Sequence, residues 1–378
     1  MLLNAADKAL WRLALPMIFS NITVPLLGLV DTAVIGHLDS PVYLGGVAVG
    51  ATATSFLFML LLFLRMSTTG LTAQAWGAKD PQRLARALVQ PLALALGAGV
   101  LIILLRLPLI DLALHIVGGS EAVLEQARRF LEIRWLSAPA SLANLVLLGW
   151  LLTLRGVSLA MLKNAWRGDL RRLLALNRDI MLRSLLLQLC FGALTVFGAR
   201  LGSDIVAVNA VLMTMLTFTA YALDGFAYAV EAHSGQAYGA RDGSQLLEVW
   251  RAACRQSGMV ALAFALIYSL AGQYIIALLT SLPSLQQLAD RYLIWQTILP
   301  VVGVWCYLLD GMFIGATRGA EMRNSMAVAA AGFAVTLLTL PVLGNHGLWL
   351  ALAVFLALRG LSLALIWRRH WRRGTWFS

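Results

Sequence analysis

Long apolar runs separated by short polar segments organise this chain from end to end. A helix needs roughly 20 apolar residues to cross the hydrocarbon core of a bilayer. Runs of about that length fall near 10–35, 43–66, 88–108, 130–154, 184–199, 205–232, 257–281, 293–316, 325–341 and 347–367. The 184–199 run is short and has room to extend at either end. The pattern predicts an all-α polytopic membrane protein with about ten transmembrane helices. The first run is longer than the apolar stretch of a secretory signal and no small-residue cleavage pattern follows it, so it is expected to span the membrane.

Charge in the intervening segments alternates. Lys8 and Arg12 lie at the first run, 36–42 has no Lys or Arg, and Lys79, Arg83 and Arg86 follow the second run. The segment 109–127 carries Asp111, Glu121 and Glu125. Arg155, Lys163, Arg167, Arg171, Arg172, Arg178 and Arg183 then follow the fourth run. Arg241, Arg251 and Arg255, then Arg318 and Arg323, then Arg368, Arg369, Arg372 and Arg373 continue the pattern. Basic residues gather on the cytoplasmic side of membrane proteins, so both termini are expected there. Arg128 and Arg129 break the alternation and are expected to snorkel at the head of the fourth span.

Composition agrees. Hydrophobic residues make up 60% of 378 positions and charged residues 12%, whereas soluble domains run near half apolar and a quarter charged. The net charge of +11 sits in alternate loops and at the termini. It therefore points to anionic headgroups and not to nucleic acid. Cys190, Cys254 and Cys306 have no close spacing and suggest neither zinc nor disulfides. HExxH, CxxC, P-loop and GxSxG patterns are absent from the sequence. No catalytic residue, metal or cofactor is expected, and ATP-driven transport finds no support.

An octapeptide occurs twice, as AQAWGAKD at 73–80 and GQAYGARD at 235–242, with five positions identical. Each copy closes a long apolar run and opens a basic segment. Gln74 and Gln236 are 162 positions apart. LALP at 13–16 and LALN at 174–177, like Pro139 and Pro300, are 161 apart. The chain thus reads as two like-oriented halves, a usual architecture of secondary transporters. An N-terminal lobe is expected over 1–156 with four spans, a basic cytoplasmic linker over 157–183, and a C-terminal lobe over 184–378 with six spans and a basic tail. Two spans are missing from the first half after Leu152. Losing an even number preserves the orientation of the second half.

These features resemble the multidrug and toxic compound extrusion (MATE) family of transporters. The twin motif is similar to the one that closes the second helix of each half in that family. Pro16 and Asp31, 15 residues apart in the first run, are similar to the proline and acid of its DinF-like branch. The resemblance covers nearly the whole chain and implies a two-lobe helical bundle. It also implies efflux of amphipathic, often cationic compounds by alternating access, in exchange for protons or sodium. Members have twelve spans. The fifth and sixth have no counterpart here, and 153–160 resembles the end of the sixth. The resemblance further implies that the fifth helix normally supplies an Asn and an Asp that cooperate with the acid of the first.

Asp31 is the candidate ion-coupling acid. A carboxylate deep in a membrane is costly unless protonated or paired, and the alternative is an acid that pairs quietly near the outer interface. Pro16 removes a helix hydrogen bond and is the candidate bend, or else it merely starts the helix. Asp224 and Glu231 are seven residues apart and share a helix face, flanked by Tyr221 and Tyr228. With Asp310 and Asn21 these are the candidates for a substrate or cation cavity; interior structural contacts are the competing reading for Glu231 and Asp310. Gln74, Gly77, Gln236 and Gly239 carry the repeat motif and read as structural, because small residues let helix ends approach closely.

Three functions follow. The first is a multidrug efflux antiporter of a bacterial inner membrane, a monomer in the bilayer acting on small amphipathic molecules. The second is a non-transporting remnant, because two helices and the acid partners are gone. The third is a lipid-linked precursor flippase of the same superfamily. Acids outnumber Arg65 and Arg359 among the intramembrane charges, which favours cations over lipid phosphates.

Overall fold

A computed structural model describes residues 4–35, 41–151, 165, 168 and 170–378, and all regular structure among them is helical. The helices are α1 (Ala5–Ile35), α2 (Pro41–Leu60), α3 (Phe63–Gly77), α4 (Pro81–Leu104), α5 (Arg106–Val117), α6 (Glu121–Arg134) and α7 (Ala138–Leu151). They continue with α8 (Leu170–Leu201), α9 (Ser203–Ala240), α10 (Gly243–Leu279), α11 (Pro283–Gly315), α12 (Gly319–Thr336), α13 (Leu340–Leu343) and α14 (Asn345–Arg373). Eight segments among the described residues are long and apolar enough to cross a membrane. The all-α polytopic architecture is the one the apolar runs predict.

Two local differences have physical causes. The acidic segment 109–127 is mostly α5 and α6 and not a loop, with the chain turning between them at Gly118 and Gly119, both of positive φ. Arg128 pairs with Asp111 across these helices, and Arg129 pairs with Glu125 at 2.8 Å. Residues 170–183, expected within a linker, are the first turns of α8, so the short 184–199 run is the apolar part of a 32-residue helix. The supposed remainder of the sixth helix, 153–160, lies outside the described residues.

The twin octapeptide ends its helix with the same turn in both places. Lys79 and Arg241 adopt left-handed φ values of 52° and 54°. Their N–H groups reach the carbonyls of Trp76 and Tyr238 at 3.0 and 3.1 Å. The next residues, Asp80 and Asp242, reach Ala75 and Ala237 at 3.1 and 3.0 Å. This paired capture of free carbonyls is the Schellman ending of a helix. The same aspartates then start the following helices. Asp80 Oδ1 accepts from the N–H groups of Gln82 and Arg83, and Asp242 Oδ1 from that of Gln245. Gln74 and Gln236 lie in the last turns before these endings; Gly77 is the last residue of α3 and Gly239 the last but one of α9.

Contacts divide the chain into two compact units, Met1–Ile22 with Leu182–Ser378, and Thr23–Met181. The division thus falls inside α1 and α8, and it groups the first half of α1 with the C-terminal helices. In the Thr23–Met181 unit the core gathers Leu64, Ile110, Leu131, Trp135, Leu142 and Val146. Buried polar groups there are used locally: Trp135 Nε1 donates to Thr54 Oγ1 at 3.1 Å, and Trp150 Nε1 to the Leu84 carbonyl at 3.0 Å.

The other unit centres on Trp349, Phe355, Leu348, Leu352 and Cys306. Its α9 and α11 approach almost backbone to backbone. A Cβ on Gly311 would lie 2.6 Å from the Ala227 carbonyl, and one on Gly315 would lie 2.8 Å from that of Glu231. Glycines four apart open this groove, the small-residue packing that membrane helices use in place of a hydrophobic drive. Asn209 and Asn345 exchange two amide hydrogen bonds at 2.9 and 2.8 Å, and Trp349 Nε1 donates to Asn209 Oδ1 at 3.1 Å.

The first half of α1 lies along this unit by a stripe of residues three or four apart. Asp7 pairs with Arg255 at 2.6 Å. Trp11 donates to Gln256 Oε1 at 3.0 Å and meets the Phe226 ring edge-on. Leu10 and Ala14 are buried. Asn4 and Asp7 cap the helix reciprocally.

Candidate functional site

Within the Met1–Ile22 and Leu182–Ser378 unit, charge is held in the interior. Asp310 of α11 receives two guanidinium groups on the same oxygen, Oδ2. Arg183 of α8 approaches to 2.6 Å, and Arg359 of α14 makes an equally direct contact. The two arginine side chains are only 5% exposed and that of Asp310 is 10% exposed. Each helix contributes one member, so the cluster ties α8, α11 and α14 together.

Charges buried this deeply are tolerable only when paired and hydrogen-bonded. Two cations on one anion leave a surplus of one positive charge. Asp224 of α9 lies in the same unit and is half-buried. The Arg359 guanidinium also lies 5.5 Å from the centre of the Phe355 ring, and the Arg359 carbonyl accepts from Ser362 at 3.2 Å. The arrangement holds charge inside the bundle.

The expected site residues are distributed as follows. Asn21 of α1 donates to the Tyr221 carbonyl of α9 at 3.3 Å, which places it three residues from Asp224. Tyr221 and Tyr228 are half-buried, and Glu231 is 2% exposed at the α9–α11 groove. Asp310 differs from a free carboxylate awaiting a cation, since two arginines already occupy it. Pro16 is exposed within a continuous α1. Asp31 falls within α1, and its side chain lies outside the described residues. Asn21 thus meets α9 three residues from Asp224 and Asp310 sits with its two arginines, while Gln74, Gly77, Gln236 and Gly239 sit at the two helix endings.

Arg183 was missed as a site residue. It reads as the last of seven basic residues that follow the fourth run, yet the helix around it carries it inside. The signal was available: Arg183 is followed at once by an apolar run, while Arg171, Arg172 and Arg178 lie on positions that stay exposed. Among the described residues no group of three His, Cys, Asp or Glu could hold a metal ion.

A bundle of long apolar helices with paired charges inside and a duplicated helix-ending motif defines a polytopic membrane transporter. The chain matches the MatE family model over residues 16–167 and 180–343, and it belongs to that family. Members are transporters and not enzymes. It is 76% identical to DNA damage-inducible protein F of Escherichia coli strain K12, across 100% of this chain and 95% of that protein. That alignment runs over 436 positions against the 378 residues here, so at least 58 positions of the relative have no counterpart. A shorter match, 32% identical over 133 residues (35% of this chain and 29% of the relative), is to a probable multidrug resistance protein NorM of Acinetobacter baylyi. A crystal structure of MATE in the straight conformation superimposes with a TM-score of 0.82 at 18% identity, covering 97% of this chain and 96% of that one. This likeness establishes the shared fold.

Proposed function

We propose that the protein is a secondary-active exporter of small amphipathic molecules in the inner membrane of a bacterium. Protons or sodium ions move inward in exchange, and both termini lie in the cytoplasm. The observation that carries this reading is family membership joined to a buried charged cluster inside apolar helices. A channel of lipid-facing helices alone would have no use for such a cluster. The name of the Acinetobacter relative adds support for drug-like substrates. Asp31 is the coupling acid in this proposal, Pro16 lets α1 bend, and Asp224 with Tyr221, Tyr228 and Asn21 meets the substrate. The protein acts as a monomer.

One observation favours the second reading, a flippase for lipid-linked precursors. The interior holds Arg183 as well as Arg359, so the excess of acids over bases is smaller than the sequence suggests. The absent positions favour the third, a remnant that inserts without transporting.

The test is dye efflux in everted vesicles under an imposed proton or sodium gradient. Gradient-dependent movement of cationic dyes is the expected result. Movement of anionic lipid analogues alone would favour the flippase, and no movement of any probe by properly inserted protein would favour the remnant.

A further inference from the structure

Within the Met1–Ile22 and Leu182–Ser378 unit, the chain turns back on itself after α14. Gly374 has a φ of 65°, a left-handed conformation that glycine adopts without strain. The N–H groups of Gly374 and Thr375 reach the carbonyls of Trp371 and His370 at 3.3 and 3.0 Å, the same Schellman ending that closes the twin octapeptides. The turn sends Thr375–Ser378 toward the ends of α9 and α11. Trp376 is 1% exposed, although Thr375 and Phe377 beside it are only half-buried and Gly374 and Ser378 are exposed.

Several elements grip this segment. The Trp376 ring meets Phe313 of α11 and Tyr238 of α9 edge-on, at 5.1 and 6.2 Å between ring centres. Phe377 packs on Tyr238 and Trp371 at 5.7 and 6.4 Å, and the Tyr238 hydroxyl donates to the Ser378 carbonyl at 3.3 Å. Arg318 stands at the start of α12, where the N–H groups of Thr317 and Arg318 close α11 on the carbonyls of Ile314 and Phe313. Its Nη2 donates to the carbonyls of Thr375 and Trp376 at 2.9 and 2.7 Å, and its guanidinium lies 4.8 Å from the centre of the Trp376 ring. Glu321 accepts from Arg318 Nη1 at 3.1 Å. His370 of α14 spans the group, with Nε2 2.8 Å from Glu321 Oε1 and Nδ1 2.7 Å from Thr375 Oγ1. Tyr238 belongs to the second octapeptide. Its counterpart in the first, Trp76, is exposed, so this covering belongs to the second copy.

A segment anchored by one buried side chain leaves its seat at lower free energy than the helices beneath it unfold. Their packed core centres on Trp349 and Phe355. We propose that Thr375–Ser378 is a releasable clasp. Closed, it ties the endings of α9, α11 and α14 to the start of α12. Open, it frees the α9 ending while the helices stay folded. Because α9 carries Tyr221, Asp224 and Tyr228, the clasp sets how firmly the substrate-facing helix is held at one end. That consequence rests on the reading given under Proposed function, but the clasp itself is tested without transport.

Hydrogen exchange would be followed by mass spectrometry on the whole chain in nanodiscs, for wild type, Trp376→Ala, Trp376→Phe, Arg318→Gln and Arg372→Gln. Trp376→Ala removes the anchor and Arg318→Gln the bridge to the two carbonyls. Each should speed exchange in 236–243 by about 10-fold or more, while 345–358 stays as protected as in wild type. Trp376→Phe keeps a ring against Phe313 and Tyr238 and should restore most of the protection. Arg372→Gln, an exposed charge just before the turn, should match wild type. Unchanged exchange in 236–243 for both Trp376→Ala and Arg318→Gln would overturn the proposal. So would faster exchange across 345–358 as well, because the segment would then be part of the core. An equal loss in Arg372→Gln would also overturn it, since general surface charge would then hold the ending.

Discussion

The two units offer contrasting ion pairs. In the Thr23–Met181 unit two pairs stand outside: Arg128 and Asp111 are 42% and 57% exposed, and Arg129 and Glu125 are 67% and 61% exposed. In the other unit Arg183, Asp310 and Arg359 are sealed within the bundle. The residue types are alike, but the consequences differ. An exposed pair gains little over its own hydration. A buried one leaves an uncompensated charge in a low-dielectric interior once a partner is removed. The inner cluster therefore specifies how α8, α11 and α14 assemble, while the outer pairs only trim the ends of short helices.

The largest predicted effect breaks the inner cluster. Asp310→Ala should cost about 3–5 kcal/mol of stability, read as loss of monodisperse protein in detergent or a collapse in Tm. Arg128→Ala should leave both nearly unchanged, at about 0–1 kcal/mol. Comparable losses in the two variants would remove the contrast between the units.

Steric closure of the α9–α11 groove comes next. Gly311→Val places methyl groups against the Ala227 carbonyl and should cost about 1–3 kcal/mol. Thermal unfolding in detergent measures it. Removing a cap is milder: Asp242→Ala should cost about 1 kcal/mol, and Asp80→Ala at least as much, because Asp80 caps two N–H groups where Asp242 caps one.

The smallest effect sharpens the comparison through pH. The hydrogen bond from Arg255 holds the Asp7 carboxyl below its ordinary 3.8. Its contribution is complete above that unfolded-state value and is lost as pH falls through the lower folded value. The Tm difference between wild type and Asp7→Asn should be level at neutral pH and vanish in strong acid. A difference that persists in acid would mean that the pair does not act through the ionised carboxylate.

Much of the fold was legible in the sequence because membrane helices announce themselves by length and composition. The twin octapeptides marked two helix endings, and their Lys/Arg–Asp pairs proved to be the left-handed cap and the following N-cap. Helices α5 and α6 were not legible as such, since short polar helices and polar loops look alike in hydropathy. The inner cluster was only half legible. Asp310 and Arg359 stand out as charges inside apolar runs, but Arg183 is hidden among six other basic residues. Its pairing with Asp310 spans 127 positions, and no local pattern encodes a contact at that distance. Pro16 and Asp31 were singled out through resemblance, and their roles remain proposals.

The most direct test separates the structural acid from the coupling acid. Gradient-driven dye efflux would be measured in everted vesicles for Asp310→Asn and Asp31→Asn, each normalised to correctly folded protein in the membrane. The account predicts that Asp310→Asn lowers the amount of folded protein while the molecules that remain stay gradient-dependent. It predicts that Asp31→Asn folds normally and loses gradient-driven efflux. Full efflux by Asp31→Asn, together with normally folded but uncoupled Asp310→Asn, would contradict it.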